Sequence, residues 1–246
     1  MSLFAGFDRP FDAAVIGASG GIGSAFARAL DALPGTREVH ALSRSGRAPA
    51  GAKIRPGRID IEDEASIAAA AAALAEAPLR LVLVATGLLH DSALQPEKTW
   101  RSLEPAAMAR AFAVNATGPA LVAKHLLPLI PRRTPAVFAA LSARVGSISD
   151  NQSGGWYAYR ASKAALNQVL RCLAIEEARR RPQLVIAGLQ PGTVATPLSA
   201  PFRSGVAAGA LLAPDRAAAR LLAVLSALEP AQSGGLYDWQ GGLIAP

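Results

Sequence analysis

The sequence predicts an α/β fold, one doubly wound parallel sheet of about seven strands with helices on both faces. Three observations lead there. Apolar runs of strand length alternate with longer helical segments almost from end to end, the pattern made by strands joined through crossover helices. The run Leu79–Ala85 is almost continuously apolar, as a strand covered on both faces must be. A chain of 246 residues, 51% hydrophobic and 17% charged, can bury a full core, which excludes disorder as its main state.

In chain order, Ala13–Ile16 reads as a short buried strand running into Gly-rich sequence, and Gly21 to Leu33 as a helix stopped by Pro34-Gly35. Val39–Ser43 and Ile54–Ile61 are the next strands, and Glu64–Glu76 is a helix whose six consecutive alanines reflect helix propensity rather than low complexity. After the Leu79–Ala85 strand come a long helix from Pro105 to Leu127, a fifth strand at Ala136–Leu141 and a second long helix from Tyr157 to Arg180. Leu184–Leu189 is the sixth strand, Asp215–Leu228 a helix opened by Pro214, and Gly235–Trp239 the seventh strand. Residues 197–213 carry Pro197, Pro201, Gly205 and Gly209 and read as an irregular loop with a short helix. No linker-like shift or internal repeat divides the chain, so a single domain over 1–246 is expected, with ligands at the carboxyl ends of the strands.

Composition narrows the function classes. The net charge is +7 and the pI about 10.3, but the basic residues are scattered singly apart from Arg132-Arg133 and Arg179–Arg181, with no aromatic-interleaved stripe to track a phosphate backbone. No nucleic-acid partner is expected. No basic segment followed by an apolar one opens the chain, and no apolar run reaches the roughly 18 residues of a membrane span, so a cytoplasmic protein without a membrane partner is expected. Cys172 stands alone, which rules out a disulfide scaffold and suggests a small core residue. His40, His90 and His125 lie in separate segments without ligand spacing, so no metal is expected.

Two motifs carry chemistry. Gly17, Gly21 and Gly23 follow the first strand and open the first helix, where backbone N–H groups and the helix dipole can meet a pyrophosphate and missing side chains let a dinucleotide approach. The second strand ends in Ser43-Arg44-Ser45, with no acid to bond an adenosine 2′-hydroxyl. The Arg44 guanidinium offers a fork of donors for a 2′-phosphate instead, which favours NADP(H) over NAD(H). Tyr159 and Lys163 stand four residues apart on one helical face. A cation beside the phenol should lower its pKa, and a drop of three units needs about 4 kcal/mol, to be shared between Lys163 and an oxidised nicotinamide.

The ordered set Gly17-x-x-x-Gly21-x-Gly23, Asp60, Ala85-Thr86-Gly87, Asn115, Tyr159-x-x-x-Lys163 and Pro191–Thr196 resembles the short-chain dehydrogenase/reductase family over nearly the whole chain. Gly87–Asp91 and Gly154–Arg160 resemble in particular its C-factor and sniffer-type carbonyl reductases. The resemblance implies a Rossmann-type fold and NADPH-dependent reduction of an aldehyde or ketone to an alcohol. It makes Tyr159 the general acid/base and Lys163 the residue that tunes it and holds the nicotinamide ribose, with Asn115 supporting a water relay to Lys163. Pro191 and Gly192 would border the nicotinamide and Thr196 bond its carboxamide; Asp60 and Ile61 would lie against the adenine, and Ala85 and Gly87 along the adenosine side. Ser19, Ile22, Thr86 and Val194 complete the expected cofactor contacts. A homodimer or homotetramer paired through the two long helices is also implied.

One position departs from the family. The second Ser of a Ser-Ser pair usually bonds the substrate carbonyl, whereas here the fifth strand ends in Ser142-Ala143. Ser142 is favoured as the replacement because a residue at a strand's carboxyl end points into the cleft, and Ser147 is the second candidate. Leu198, Pro201, Phe202, Val206, Leu211 and Leu212 make the 197–213 loop an apolar lid, which points to a small apolar carbonyl or alcohol substrate. The Ala143 departure and the kinship with C-factor keep open a second class, a catalytically weak cofactor-binding protein in signalling or regulation.

Overall fold

The computed structural model describes residues 3–4, 6–7, 10–92, 94–205, 207 and 209–246. Its main sheet has the strand order β10-β9-β6-β5-β4-β1-β2-β3, with β1 at Phe11–Ile16, β2 at Thr36–Ser43, β3 at Ile54–Arg58, β4 at Leu79–Val84, β5 at Ala136–Leu141, β6 at Leu184–Gln190, β9 at Leu236–Asp238 and β10 at Leu243–Ile244. Seven strands run parallel, as expected. The eighth, β10, is antiparallel to β9 and only two residues long, too short for any periodicity to announce it. β3 is an edge strand, which is why Pro56 is tolerated within it.

Side chains alternate between two cores as strand geometry requires. Ala13 and Val15 of β1, Leu81 and Leu83 of β4, and Val137 and Ala139 of β5 face one core. There they meet Phe26 and Leu30 of helix α1 (Gly21–Asp31) and Leu221 and Leu222 of helix α6 (Pro214–Ala227). Ala14, Ile16, Val82, Val84 and Phe138 face the other, closed by Ile67 of α2 (Glu64–Ala73), Val122 and Leu126 of α4 (Gly118–Leu126), and Leu166 and Leu170 of α5 (Tyr157–Glu177). Buried positions on α5 recur at Lys163, Leu166, Leu170 and Ala174, and Cys172, off that stripe, is exposed rather than in the core.

The long helix expected over Pro105–Leu127 is not uniform. α3 (Pro105–Phe112) runs through one wide π-helical segment at Ala113–Thr117 into α4, and such widened turns recur at functional sites. Among its described residues, the 197–213 segment forms a short 3₁₀ turn at Ala200–Phe202. Its ends are tied by a small parallel ladder of β7 (Thr193–Val194) with β8 (Leu211–Leu212). Val206 lies outside the described residues. No helix among the described residues is long and apolar enough to cross a membrane.

At the amino end of the sheet, away from the ligand side, Asp12 is fully buried and takes both Arg37 nitrogens, at 2.7 and 2.6 Å, with His40 Nε2 at 2.9 Å. Burial alone would push the Asp12 carboxyl up; the hydrogen bonds from His40 and Arg37 and their charges outweigh it and hold the group below its usual value. Asp12, Glu38 and His40 present possible ligand atoms within 4.8 Å of one another. Arg37 and Arg55 already engage the two acids, which makes this an ion-pair network.

Candidate active site

The carboxyl ends of β1, β2, β4, β5 and β6 open on one side, and three adjoining cavities lie there. The first, about 490 Å³, is lined by Gly17, Ser19, Ser43, Arg44, Asp60, Ile61, Ala85, Thr86 and Gly87. The second, about 320 Å³, shares Ser19 and Thr86 with the first and adds Gly21, Ile22, Ser142, Tyr159, Lys163, Pro191 and Thr196. The third, about 240 Å³, continues past Ser142 and Tyr159 to Ala143, Gly192, Val194, Leu198 and Phe202. Nearly every residue singled out from the sequence thus lines one continuous cleft. Gly23, Asn115 and the alternative serine, Ser147, do not.

The turn after β1 is built for close approach. Gly17 has φ +87°, a left-handed value that residues with a Cβ avoid. A Cβ on Gly23 would stand 2.2 Å from the Gly17 carbonyl oxygen, and one on Gly21 would stand 2.6 Å from Thr196 Cγ2. Behind the turn, the buried Thr86 hydroxyl has no hydrogen-bond partner among the described residues. A glycine cradle at a helix N-terminus, beside an unpaired buried hydroxyl, suits a dinucleotide phosphate and ribose.

Arg44 is well exposed, its nearest acid Glu62 at 3.9 Å. Arg47 and Ser45 line the same cavity, with the Ser45 hydroxyl 3.4 Å from the Arg47 backbone nitrogen and Nε. Their closeness in sequence to Arg44 was the available signal for them.

Lys163 is 2% exposed, and its Nζ donates to the Leu141 backbone oxygen at 2.8 Å. Burial pushes its pKa down to about 7. Burial also pushes the Tyr159 phenol up to about 12, the reverse of the lowering expected from the Tyr-Lys spacing. Burial is the dominant influence on the phenol, while Lys163 Nζ stands 5.8 Å from the ring centroid and is bonded to a backbone carbonyl.

Asn115 lies in the π-helical segment and is fully buried. Its Oδ1 accepts from Leu88 N at 2.8 Å, while Nδ2 donates to Leu88 O at 2.8 Å and to Ser162 Oγ at 3.0 Å. Both amide protons are therefore spent on fixing the loop after β4 against α5.

Ser142 is 4% exposed and its hydroxyl donates to Asn167 Oδ1 at 2.6 Å. With the amide turned about its bond to Cβ, Nδ2 would donate to Ser142 and leave the hydroxyl proton for the cleft. Ser147 lines none of the three cavities; its Oγ accepts from Asp150 N at 3.2 Å. His90 is half-buried, its Nε2 3.1 Å from Leu198 O and its ring edge-on to Phe202.

Comparison with known proteins agrees with this geometry. A family model described as short chain dehydrogenase matches residues 12–207. C-signal of Myxococcus xanthus is 38% identical over 135 residues, which cover 54% of this chain and 75% of that protein. The 1-hydroxy-2-glutathionyl-2-methyl-3-butene dehydrogenase of Rhodococcus sp. (strain AD45) is 32% identical over 232 residues, 94% of this chain and 97% of that one. The solved structure of NADPH-bound carbonyl reductase from chicken fatty liver superposes with a TM-score of 0.79 at 25% identity, over 97% of this chain and 100% of that chain. The C-factor and carbonyl reductase resemblance of the motifs is met again in these relatives. The chain belongs to the short-chain dehydrogenase/reductase family of oxidoreductases.

Proposed function

We propose that this protein reduces the carbonyl group of a small apolar aldehyde or ketone with NADPH. The observation that carries the reading is the single cleft in which Tyr159, Lys163 and Ser142 meet the glycine turn. Gly17 to Gly23 and the start of α1 would hold the pyrophosphate, Arg44 and Arg47 the 2′-phosphate, and Asp60 and Ile61 the adenine. Lys163 would hold the nicotinamide ribose, and Pro191, Gly192 and Thr196 would border the nicotinamide. When bound, the cofactor supplies the hydride.

The remaining chemistry falls to the chain's own residues. Burial raises the Tyr159 phenol above its ordinary value and so favours the protonated form, the one a proton donor to a developing alkoxide needs. Ser142, with its hydroxyl released by an Asn167 that donates rather than accepts, would steady the oxyanion. Leu198, Phe202 and Trp156 line the outer cavity and exclude water around an apolar substrate. Exposed Ile175 lies on α5, one of the two long helices through which the expected dimer or tetramer would pair. NADPH consumption over a panel of aldehydes and ketones tests the reading, together with Tyr159→Phe, which should abolish turnover and leave NADPH bound. No turnover with any carbonyl, with NADPH bound, would overturn it.

A second reading, a regulatory protein with weak catalysis, is favoured by Ala143 at the usual Ser position and by the likeness to C-signal. It predicts that Tyr159→Phe keeps the full biological effect.

A further inference from the structure

Glu97 belongs to none of the motifs that the function absorbs. It lies between β4 and α3 and is only 6% exposed, an unusual place for a carboxylate. Its backbone oxygen accepts from Trp156 N at 2.5 Å, and its Oε2 accepts from Ala158 N at 3.2 Å, a contact across 61 residues of sequence. Ala158 N is one of the first amides of α5, which have no partner inside the helix. The residue at the helix's own cap position, Trp156, contributes no side-chain hydrogen bond. Glu97 caps the helix in its place.

The turn that Glu97 holds is a demanding one. Gly154, Gly155 and Trp156 have φ of +60°, +64° and +51°, three left-handed residues in succession, the last with a large side chain that disfavours this region. Arg160 grips the other side, its Nε donating to Gly154 O at 3.2 Å and to Gly155 O at 3.1 Å. In this conformation the Trp156 ring stands 6.3 Å from the Tyr159 ring and 4.9 Å from that of Phe202, both edge-on. All three rings line the outer cavity.

We propose that Glu97 is a positioning residue that caps α5 from a distant loop, keeps Trp156 in its left-handed turn, and thereby sets both the stance of the Tyr159 phenol and the size of substituent that fits beside it. The proposal rests on the carbonyl-reductase reading and makes Trp156 the wall that selects among carbonyl substrates, favouring a flat aryl group that stacks on the ring over a branched aliphatic one.

The test compares wild type with Glu97→Met, which keeps the length but has no acceptor oxygen, and Glu97→Gln, which keeps one. Kinetics are measured with an aryl ketone and a branched aliphatic ketone, and amide hydrogen exchange at Trp156 and Ala158 without substrate. Glu97→Met should lower kcat about tenfold or more, shift the preference between the two ketones by about tenfold, and speed exchange at those two amides, with NADPH affinity little changed. Glu97→Gln should restore most of each. Wild-type kcat, preference and exchange in Glu97→Met would overturn the proposal, as would loss of kcat in step with NADPH affinity and thermal stability. If Glu97→Met does not fold, Trp156→Phe carries the preference test: a shift supports the proposal, and an unchanged preference overturns it. Should wild type turn over no aldehyde or ketone of the panel, the carbonyl reading fails, and the exchange measurement still decides whether Glu97 holds the turn.

Discussion

Gly23→Ala tests how tightly the cofactor turn is packed. The new Cβ would stand 2.2 Å from the Gly17 carbonyl oxygen and 2.8 Å from its carbon. Both are backbone atoms, so no side chain can rotate away. The same oxygen accepts from Gly20 N at 3.0 Å, and the contact must open by about 1 Å to reach van der Waals distance. Overpacking of this kind costs about 2–3 kcal/mol, and better helix propensity returns about 1 kcal/mol, leaving a net loss of about 1–2 kcal/mol. For a chain of this size that lowers Tm by roughly 2–8 °C. The same 1 Å displacement carries the turn's amides away from the pyrophosphate, so NADPH affinity should fall about tenfold or more. Gly21→Ala is the internal comparison: its Cβ meets Thr196 Cγ2 at 2.6 Å, a side-chain methyl that can turn aside, and its losses should be several-fold smaller. Thermal melts and fluorescence titration with NADPH measure both. If Gly23→Ala melted within about 1 °C of wild type and bound NADPH as tightly, the packing argument would be wrong.

Three further outcomes are expected. Replacing Arg44 and Arg47 together by Ala should lower kcat/KM for NADPH by about 10–100-fold and leave that for NADH nearly unchanged; an unaltered ratio would remove the 2′-phosphate assignment. Ser142→Ala should lower kcat by about 10²-fold while Ser147→Ala stays near wild type, and the opposite pattern in steady-state kinetics would move the oxyanion role to Ser147. Asp12→Asn should destabilise the fold by about 1–3 kcal/mol at neutral pH, measured by urea unfolding. The folded Asp12 pKa lies below its usual 3.8, so its contribution is complete above that value and disappears as pH falls through the folded one. The gap between variant and wild type should therefore close only below about pH 4, and a gap that closed near neutrality would contradict the assignment.

What the sequence shows and what it hides divide along contact range. The Gly17–Gly23 turn, Tyr159 with Lys163, and the alternation of strands and helices are patterns within a few residues, and each is legible. The identity of the outer wall is not. Trp156 owes its place to Glu97, 59 residues away, and Ser142 owes its hydroxyl orientation to Asn167, 25 residues away; nothing local in the sequence announces either pair. The Tyr159 phenol shows the same limit in electrostatics. Spacing places a cation on the same helical face, but only the fold reveals that Lys163 turns to the Leu141 carbonyl and that burial dominates.

The wide turn at Ala113–Thr117 has a consequence for how the chain can vary in length. An added or lost residue in a surface loop is absorbed locally. Removing one from this segment would restore ordinary winding, and because the wide turn already takes up one residue's roughly 100°, α4 would keep its facing while the residues inside the turn changed theirs. Val122 and Leu126 would stay in the core, but Asn115, inside the turn, would swing off Leu88 and Ser162. The spacing between Phe112 and Gly118 is therefore as constrained as any side chain in the cleft, although no atom of a substrate need ever touch it.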